Sequence, residues 1–246
     1  MLRRLRDDLP GIERFERQDF VENYWYCKPG EHVTIVGPTG VGKTHLVNQL
    51  LEESATKETP AVILVMKPKD STTKRFTKAH GYRQTAVWPP IPSIWKPRKP
   101  PGYTLWPKHT YNPDIDEPKH AEIFKTALLD SYKKGNRHVF ADELYSLDEE
   151  LGLARPLITI WTKGRSMGCS LWGATQKPTH VPLHAFNQAT HLFLSFDPDK
   201  RSRDRFREIG GVDPDLISAG IEQLEPFEGL YIHRQGRSST MCIVGA

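Results

Sequence analysis

The chain has 246 residues, 37% of them hydrophobic, which suits one sizeable α/β core at roughly 100 to 200 residues per domain. No apolar run approaches the roughly 20 residues needed to cross a bilayer, and the basic start Met1 to Arg6 leads into Asp7 and Asp8, which argues against membrane insertion and a secretory signal. Cys27, Cys169 and Cys242 are odd in number and far apart, which argues against a disulfide framework or a cysteine-based metal site and favours a reducing, cytoplasmic compartment.

The formal charge of +4 is unevenly spread. Between Lys67 and Tyr111 stand ten Lys or Arg (67, 69, 74, 75, 78, 83, 96, 98, 99 and 108) against the single Asp70, a local charge of +9. The remainder is net acidic.

Residues 1–30 read as a polar N-terminal arm with the aromatic cluster Tyr24, Trp25 and Tyr26 before the turn Lys28-Pro29-Gly30. Residues 31–246 read as one domain. His32 to Val36 is a β-branched run typical of a buried parallel strand, and residues 43–56 follow as a helix with Leu46, Val47, Leu50 and Leu51 on its apolar face. A second apolar strand, Ala61 to Met66, leads into residues 67–116, which read as a basic insertion rich in proline and tryptophan. Pro89, Pro90, Pro92, Pro97, Pro100, Pro101 and Pro107 predict that it lacks long helices and central strands. Trp88, Trp95 and Trp106 are expected to pack it onto the core.

A helix is predicted over Glu117 to Lys134, with Ile123, Phe124, Ala127 and Leu128 inward, then a strand from His138 to Ala141. A helix from about Asp148 to Met167, with a possible break at Pro156, precedes the strand Ser170 to Ala174. The strand His191 to Phe196, a helix over Pro198 to Ile209, and a hairpin of Gly229 to His233 with Thr240 to Val244 complete the pattern. Alternating strands and helices imply a mainly parallel sheet flanked by helices.

The run Gly37-Pro38-Thr39-Gly40-Val41-Gly42-Lys43-Thr44 fits G-x-x-x-x-G-K-[ST] in full, with a strand before it and a helix after. Its glycines let backbone amides approach phosphates, the helix N-terminus favours anions, Lys43 suits the β and γ phosphates, and the Thr44 hydroxyl suits Mg²⁺. ATP and Mg²⁺ are the expected ligands. The strand ending at Ala141 delivers Asp142, placed to hold Mg²⁺ through its water shell, and Glu143, placed to polarise an attacking water. This pairing favours hydrolysis over transfer to a substrate hydroxyl. Trp172-Gly173-Ala174-Thr175-Gln176-Lys177-Pro178 ends another strand in an amide that could sit beside Glu143 and contact the γ-phosphate or the water.

Taken together with Lys163-Gly164-Arg165-Ser166-Met167-Gly168, the strand His191 to Phe196 and the stretch Asp199 to Arg203, these motifs resemble the FtsK/HerA superfamily of ring-forming DNA-pumping ATPases. The match runs from about Glu31 to Ile232. The resemblance implies a RecA-like sheet and ATP-driven movement of double-stranded DNA through a homo-oligomeric, hexameric ring. It assigns phosphate and Mg²⁺ binding to Lys43 and Thr44, Mg²⁺ to Asp142, catalysis to Glu143, sensing to Gln176 and an arginine finger to Arg165. A surface arginine at a helix end is the plainer reading of Arg165, and Arg155 is the runner-up finger. With no transmembrane region and little spare length, the chain is similar to packaging ATPases of certain viruses and to small ATPases of mobile elements. That setting implies host cytoplasm or virion association and a capsid or portal partner.

Two surfaces are candidates for DNA. One is the +9 segment, which could equally be a solvated face or a subunit interface; the other is Lys200, Arg201, Arg203, Arg205 and Arg207. Two other functional classes stay open: a small-molecule kinase with the basic segment as its lid, and a non-catalytic, nucleotide-dependent assembly adaptor.

Overall fold

A computed structural model describes residues 12–92, 99–236 and 238–245. In chain order its strands are β1 (Arg14–Phe15), β2 (Val33–Val36), β3 (Ala61–Leu64), β4 (Arg83–Thr85), β5 (Gly102–Leu105), β6 (Arg137–Ala141), β7 (Cys169–Thr175), β8 (His191–Leu194), β9 (Gly229–Gln235) and β10 (Ser238–Val244). The helices are α1 (Arg17–Asp19), α2 (Lys43–Ser54), α3 (Ser71–Ala79), α4 (Pro113–Lys134), α5 (Ala154–Met167), α6 (Leu183–Gln188), α7 (Lys200–Asp204) and α8 (Pro214–Glu222).

The strands form one sheet in the order β1-β10-β9-β8-β2-β7-β6-β3-β5-β4. From β8 to β4 all neighbours run parallel, while β9 is antiparallel to both β8 and β10. Parallel pairing brings the C-terminal ends of β2, β3, β6, β7 and β8 to one edge of the sheet. Along each central strand the period of two divides the side chains between two cores. Val62, Leu64, Val139, Ala141 and Leu171 face the layer of α4, α5, α6 and α8, whereas Ala61, Ile63, Phe140, Trp172 and Ala174 face α2 and α3. Burial on both faces explains why these strands carry apolar residues at successive positions rather than in strict alternation. The expected fold class is therefore the one observed.

Several expectations on individual elements need correction. The N-terminal segment, read as a polar arm, is packed onto the core over its described part, residues 12–30: Phe20, Val21, Trp25 and Cys27 are buried, and β1 pairs with β10. Phe20 meets Phe193 edge-on at 6.0 Å and Trp25 meets Trp172 at 5.6 Å, so this segment completes the α2 face. Residues 67–116 likewise contribute regular structure. Asp70 caps α3 by accepting from the Thr73 amide at 2.9 Å, and β5 runs between β3 and β4. The prolines border β5 rather than interrupt it, which the prohibition on proline in central strands permits. Trp88 and Trp106 do pack inward, with their indole N–H groups donating to Asp130 Oδ2 and the Lys67 carbonyl, both at 2.9 Å. Trp95, Lys96, Arg98, Arg237 and residues 1–11 lie outside the described residues.

The Asn112 side chain caps α4, which begins at Pro113 rather than Glu117, with Asp114 and Asp116 in its first turn and Lys133 and Lys134 in its last. Such charges complement the helix dipole. α5 begins only at Ala154, and Pro156 falls in its first turn, where its missing amide costs nothing. The predicted helix over Pro198 to Ile209 is shorter, with α7 followed by a 3₁₀ turn at Arg205–Glu208, and α6 and α8 are helices that periodicity did not signal. The hairpin forms as expected.

Candidate active site

The glycine-rich loop leaves the C-terminal end of β2 and enters α2. Gly42 has φ of +88° at the position before the helix, a left-handed conformation that favours glycine. At Gly37 the constraint is space, because a Cβ there would lie 2.6 Å from Ser195 Oγ. No side chain caps α2, so its first amides stay free for an anion. Lys43 Nζ donates to the carbonyls of Gly37 at 2.6 Å and Pro38 at 2.9 Å, which keeps the ammonium beside the loop. Burial lowers the Lys43 pKa, opposed by the nearby carboxylates of Glu143 and Asp142.

β7 lies between β2 and β6, and this order assembles the rest of the site. Thr44 Oγ1 donates to Asp142 Oδ1 at 3.0 Å, joining the first turn of α2 to the end of β6. Gln176, just past β7, donates through Nε2 to Glu143 Oε2 at 2.9 Å and accepts through Oε1 from the Thr39 hydroxyl at 2.8 Å. Thr175 Oγ1 donates to Glu143 Oε1 at 3.2 Å. Burial raises the Glu143 pKa above its ordinary value despite the hydrogen bonds from Gln176 and Thr175, which oppose the shift.

Glu143, Gln176, Lys43, Thr44 and Asp142 thus converge, as do Gly37 to Gly42 of the loop. A free helix N-terminus, a lysine and a hydroxyl–carboxylate pair suit a nucleotide phosphate with Mg²⁺, which Thr44 and Asp142 would hold. Arg165 does not join them. It sits exposed in the last turn of α5, one short turn before the start of β7, and its carbonyl would be 2.8 Å from a Cβ at Gly30. The seven residues of β7, at about 3.3 Å each, put it about 20 Å from Gln176. Arg155, exposed in the first turn of α5, lies toward the loop edge instead.

Sequence reasoning missed Lys67 as a site residue. Its Nζ donates to Asp142 Oδ2 at 2.6 Å. Burial alone would lower its pKa, but the hydrogen bond and charge of Asp142 outweigh that and raise it. The available signal was a charged residue directly following the apolar run of β3, the strand beside β6.

A cleft of about 490 Å³ opens next to Asp142, Glu143 and Gln176, with Lys67, His109 and His120 on its walls. Beyond β8, much of the second basic cluster is engaged within the chain. Arg203 donates to the Asp197 carbonyl at 2.6 Å, Arg205 bonds Glu208, and Arg207 pairs with Asp215 at 3.2 Å. In the first cluster Lys69, Lys74, Arg75, Lys78, Lys99 and Lys108 are exposed.

No protein-family model and no curated protein matches the chain. Its fold is shared with solved structures. The genome packaging NTPase B204 from Sulfolobus turreted icosahedral virus 2, in complex with ATP-gammaS, is 14% identical with a TM-score of 0.59, over 88% of this chain and 98% of that one. VirB4 of Thermoanaerobacter pseudethanolicus is 10% identical with a TM-score of 0.62, over 87% and 89%. The cytoplasmic domain of the type VII secretion ATPase EccC from Thermomonospora curvata is 17% identical with a TM-score of 0.53, over 89% of this chain and 26% of that one. At these identities the likeness is one of fold: the chain has the RecA-like architecture of P-loop ATPases. No helix among the described residues is long and apolar enough to cross a membrane.

Proposed function

We propose that the chain hydrolyses ATP and couples turnover to movement of double-stranded DNA, working as a ring of identical subunits. The observation that carries this reading is the clamp on Glu143. Gln176 holds that carboxylate and also touches Thr39 of the phosphate-binding loop, so the candidate base is tied to the place where the phosphates would lie. Lys43 and the uncapped start of α2 bind the phosphates, and Glu143 orients an attacking water and accepts its proton. Thr44 and Asp142 would hold Mg²⁺, which would supply neutralisation of charge on the phosphate oxygens.

Arg165 acts in trans, on the nucleotide of a neighbouring subunit. Its position at the opposite edge of the sheet from its own loop supports that role, since it cannot serve its own site. There its guanidinium stabilises charge developing at the transferred phosphoryl group. The exposed lysines and arginine of residues 69–108 supply the sequence-independent phosphate contacts that duplex DNA requires. Likeness of fold to B204, described as a genome packaging NTPase, favours viral packaging or a mobile element as the setting, with host cytoplasm as the location and a capsid or portal as partner.

The test is phosphate release from ATP with and without duplex DNA, in the absence of any acceptor molecule. Stimulation by DNA that vanishes in Glu143→Gln is expected. A rate that ignores DNA overturns the coupling, and phosphate release that demands a small-molecule acceptor makes the protein a kinase.

A further inference from the structure

Outside the nucleotide-binding residues, two histidines and an aspartate meet on the wall of the cleft. Asp116 and His120 are one helical turn apart near the start of α4 and share a face, and His109 arrives from the preceding loop. One potential ligand atom from each lies within 4.8 Å of the other two. The site is built rather than accidental in its support. Asp116 accepts from the Thr110 amide at 2.9 Å, the Thr110 hydroxyl at 2.8 Å and the Tyr111 amide at 3.1 Å, which fixes the loop that carries His109. His120 Nε2 lies 3.1 Å from the Lys108 carbonyl, so it carries the proton and leaves Nδ1 as a free lone pair.

His109 is the unexplained member. Its Nε2 is buried with no hydrogen-bond partner, and its Nδ1 stands 3.9 Å from Asp116 Oδ2, too far for a hydrogen bond. A buried ring nitrogen left without a partner costs stability. Two ligands at about 2.1 Å from a tetrahedral ion are about 3.4 Å apart, so a ring movement of about half an ångström turns this gap into a coordination angle.

From these observations we infer that His109, Asp116 and His120 form a binding site for a divalent transition-metal ion of the zinc type, separate from the Mg²⁺ expected at Thr44 and Asp142. Imidazole nitrogens select such an ion over Mg²⁺, which prefers an all-oxygen shell. Backbone support of His120 and Asp116 is the arrangement that orients metal ligands elsewhere. Three protein ligands leave a fourth position, and because all three residues line the cleft it is open to water or a phosphate oxygen there. The ion would also pin the 108–112 loop to α4, setting one wall of the cleft opposite Glu143.

The experiment uses the full chain, stripped with chelator and then titrated with Co²⁺ in millimolar Mg²⁺, followed by visible absorption. Zinc content is measured separately after equilibrium dialysis. One equivalent per chain is expected, with d–d bands of nitrogen and oxygen ligation. His109→Ala and His120→Ala each weaken binding at least about tenfold, while Asp142→Asn leaves it unchanged. His109 sits on a loop, so its variant keeps the fold and circular dichroism verifies that. Binding below stoichiometry, binding indifferent to both histidine variants, or a thiolate-to-cobalt band lost in Cys27→Ser overturns the assignment; the last would place the ion on the buried Cys27, Glu31 and His191 group instead.

Discussion

Gln176 Nε2 donates to Glu143 Oε2 at 2.9 Å, linking the end of β7 to the residue after the β6 carboxylate Asp142. The bond favours the ionised form of Glu143, against the burial that raises its pKa. If Glu143 is the base, Glu143→Gln should lower ATP hydrolysis by about 10²- to 10⁴-fold while ATP binding persists. The acid limb of the kcat profile should lie above pH 4.5, because a raised pKa protonates the base at a higher pH than an ordinary glutamate. Gln176→Ala removes an opposing interaction, so the limb should move further up and the rate fall about tenfold, or about 1.4 kcal/mol. A limb that stays put in Gln176→Ala would separate the two residues functionally.

Lys67 occupies one oxygen of the carboxylate expected to hold Mg²⁺. With the Lys67 side chain 51% exposed, the pair is worth at most about 1 kcal/mol after screening. Lys67→Met should therefore lower the Mg²⁺ concentration for half-maximal hydrolysis by up to about fivefold. An increase instead would mean that Lys67 assists nucleotide or metal binding rather than competing for Asp142.

Arg165→Ala should leave ATP binding intact and reduce hydrolysis by about 10³-fold or more, the usual weight of an arginine finger. Action in trans has a distinctive signature. Arg165→Ala mixed with Glu143→Gln should regain activity that neither variant has alone, because some interfaces then join an intact finger to an intact base. Two inactive variants that stay inactive when mixed, despite forming a common oligomer, would return Arg165 to the status of a surface residue.

What could be read from the sequence follows a physical pattern. Lys43 was legible from the glycine-rich loop that opens α2, and Asp142, Glu143 and Gln176 because they stand just past the ends of buried parallel strands, where the strand gives way to polar residues. Lys67 likewise stands just past β3, but it was absorbed into the charge count of the basic segment. β5 was hidden because Gly102-Tyr103-Thr104-Leu105 is too short to show a period and stands among Pro100, Pro101 and Pro107. Phe20, Val21, Trp25 and Cys27 were missed because their spacing follows a π-turn and an extended stretch, matching neither the helical nor the strand period. The cluster of His109, Asp116 and His120 depends on a loop folding back onto α4, and spacing alone does not encode that.

Stability should fall steeply in mild acid, and two buried histidines say where. His32 and His138, 3% and 1% exposed, are pushed down to about 4 by burial, with the charge of Arg165 adding to the effect at His32. The unfolded chain binds these protons near pH 6.5 and the folded chain only near 4, so between those values unfolding takes up protons. Their contribution is complete above about pH 6.5 and is lost as pH falls toward 4, up to about 3 kcal/mol for each at 1.36 kcal/mol per unit. Against a typical total of about 5–15 kcal/mol, that is enough to bring the domain close to unfolding near pH 4. His32 Nδ1 accepts from the Leu171 amide at 2.9 Å, and the side-chain oxygen of His32→Asn can take over that acceptor role without titrating. Urea midpoints measured from pH 7.5 down to 4.5 should decline about half as steeply in His32→Asn as in the native chain. Equal slopes would show that other groups govern the acid limit.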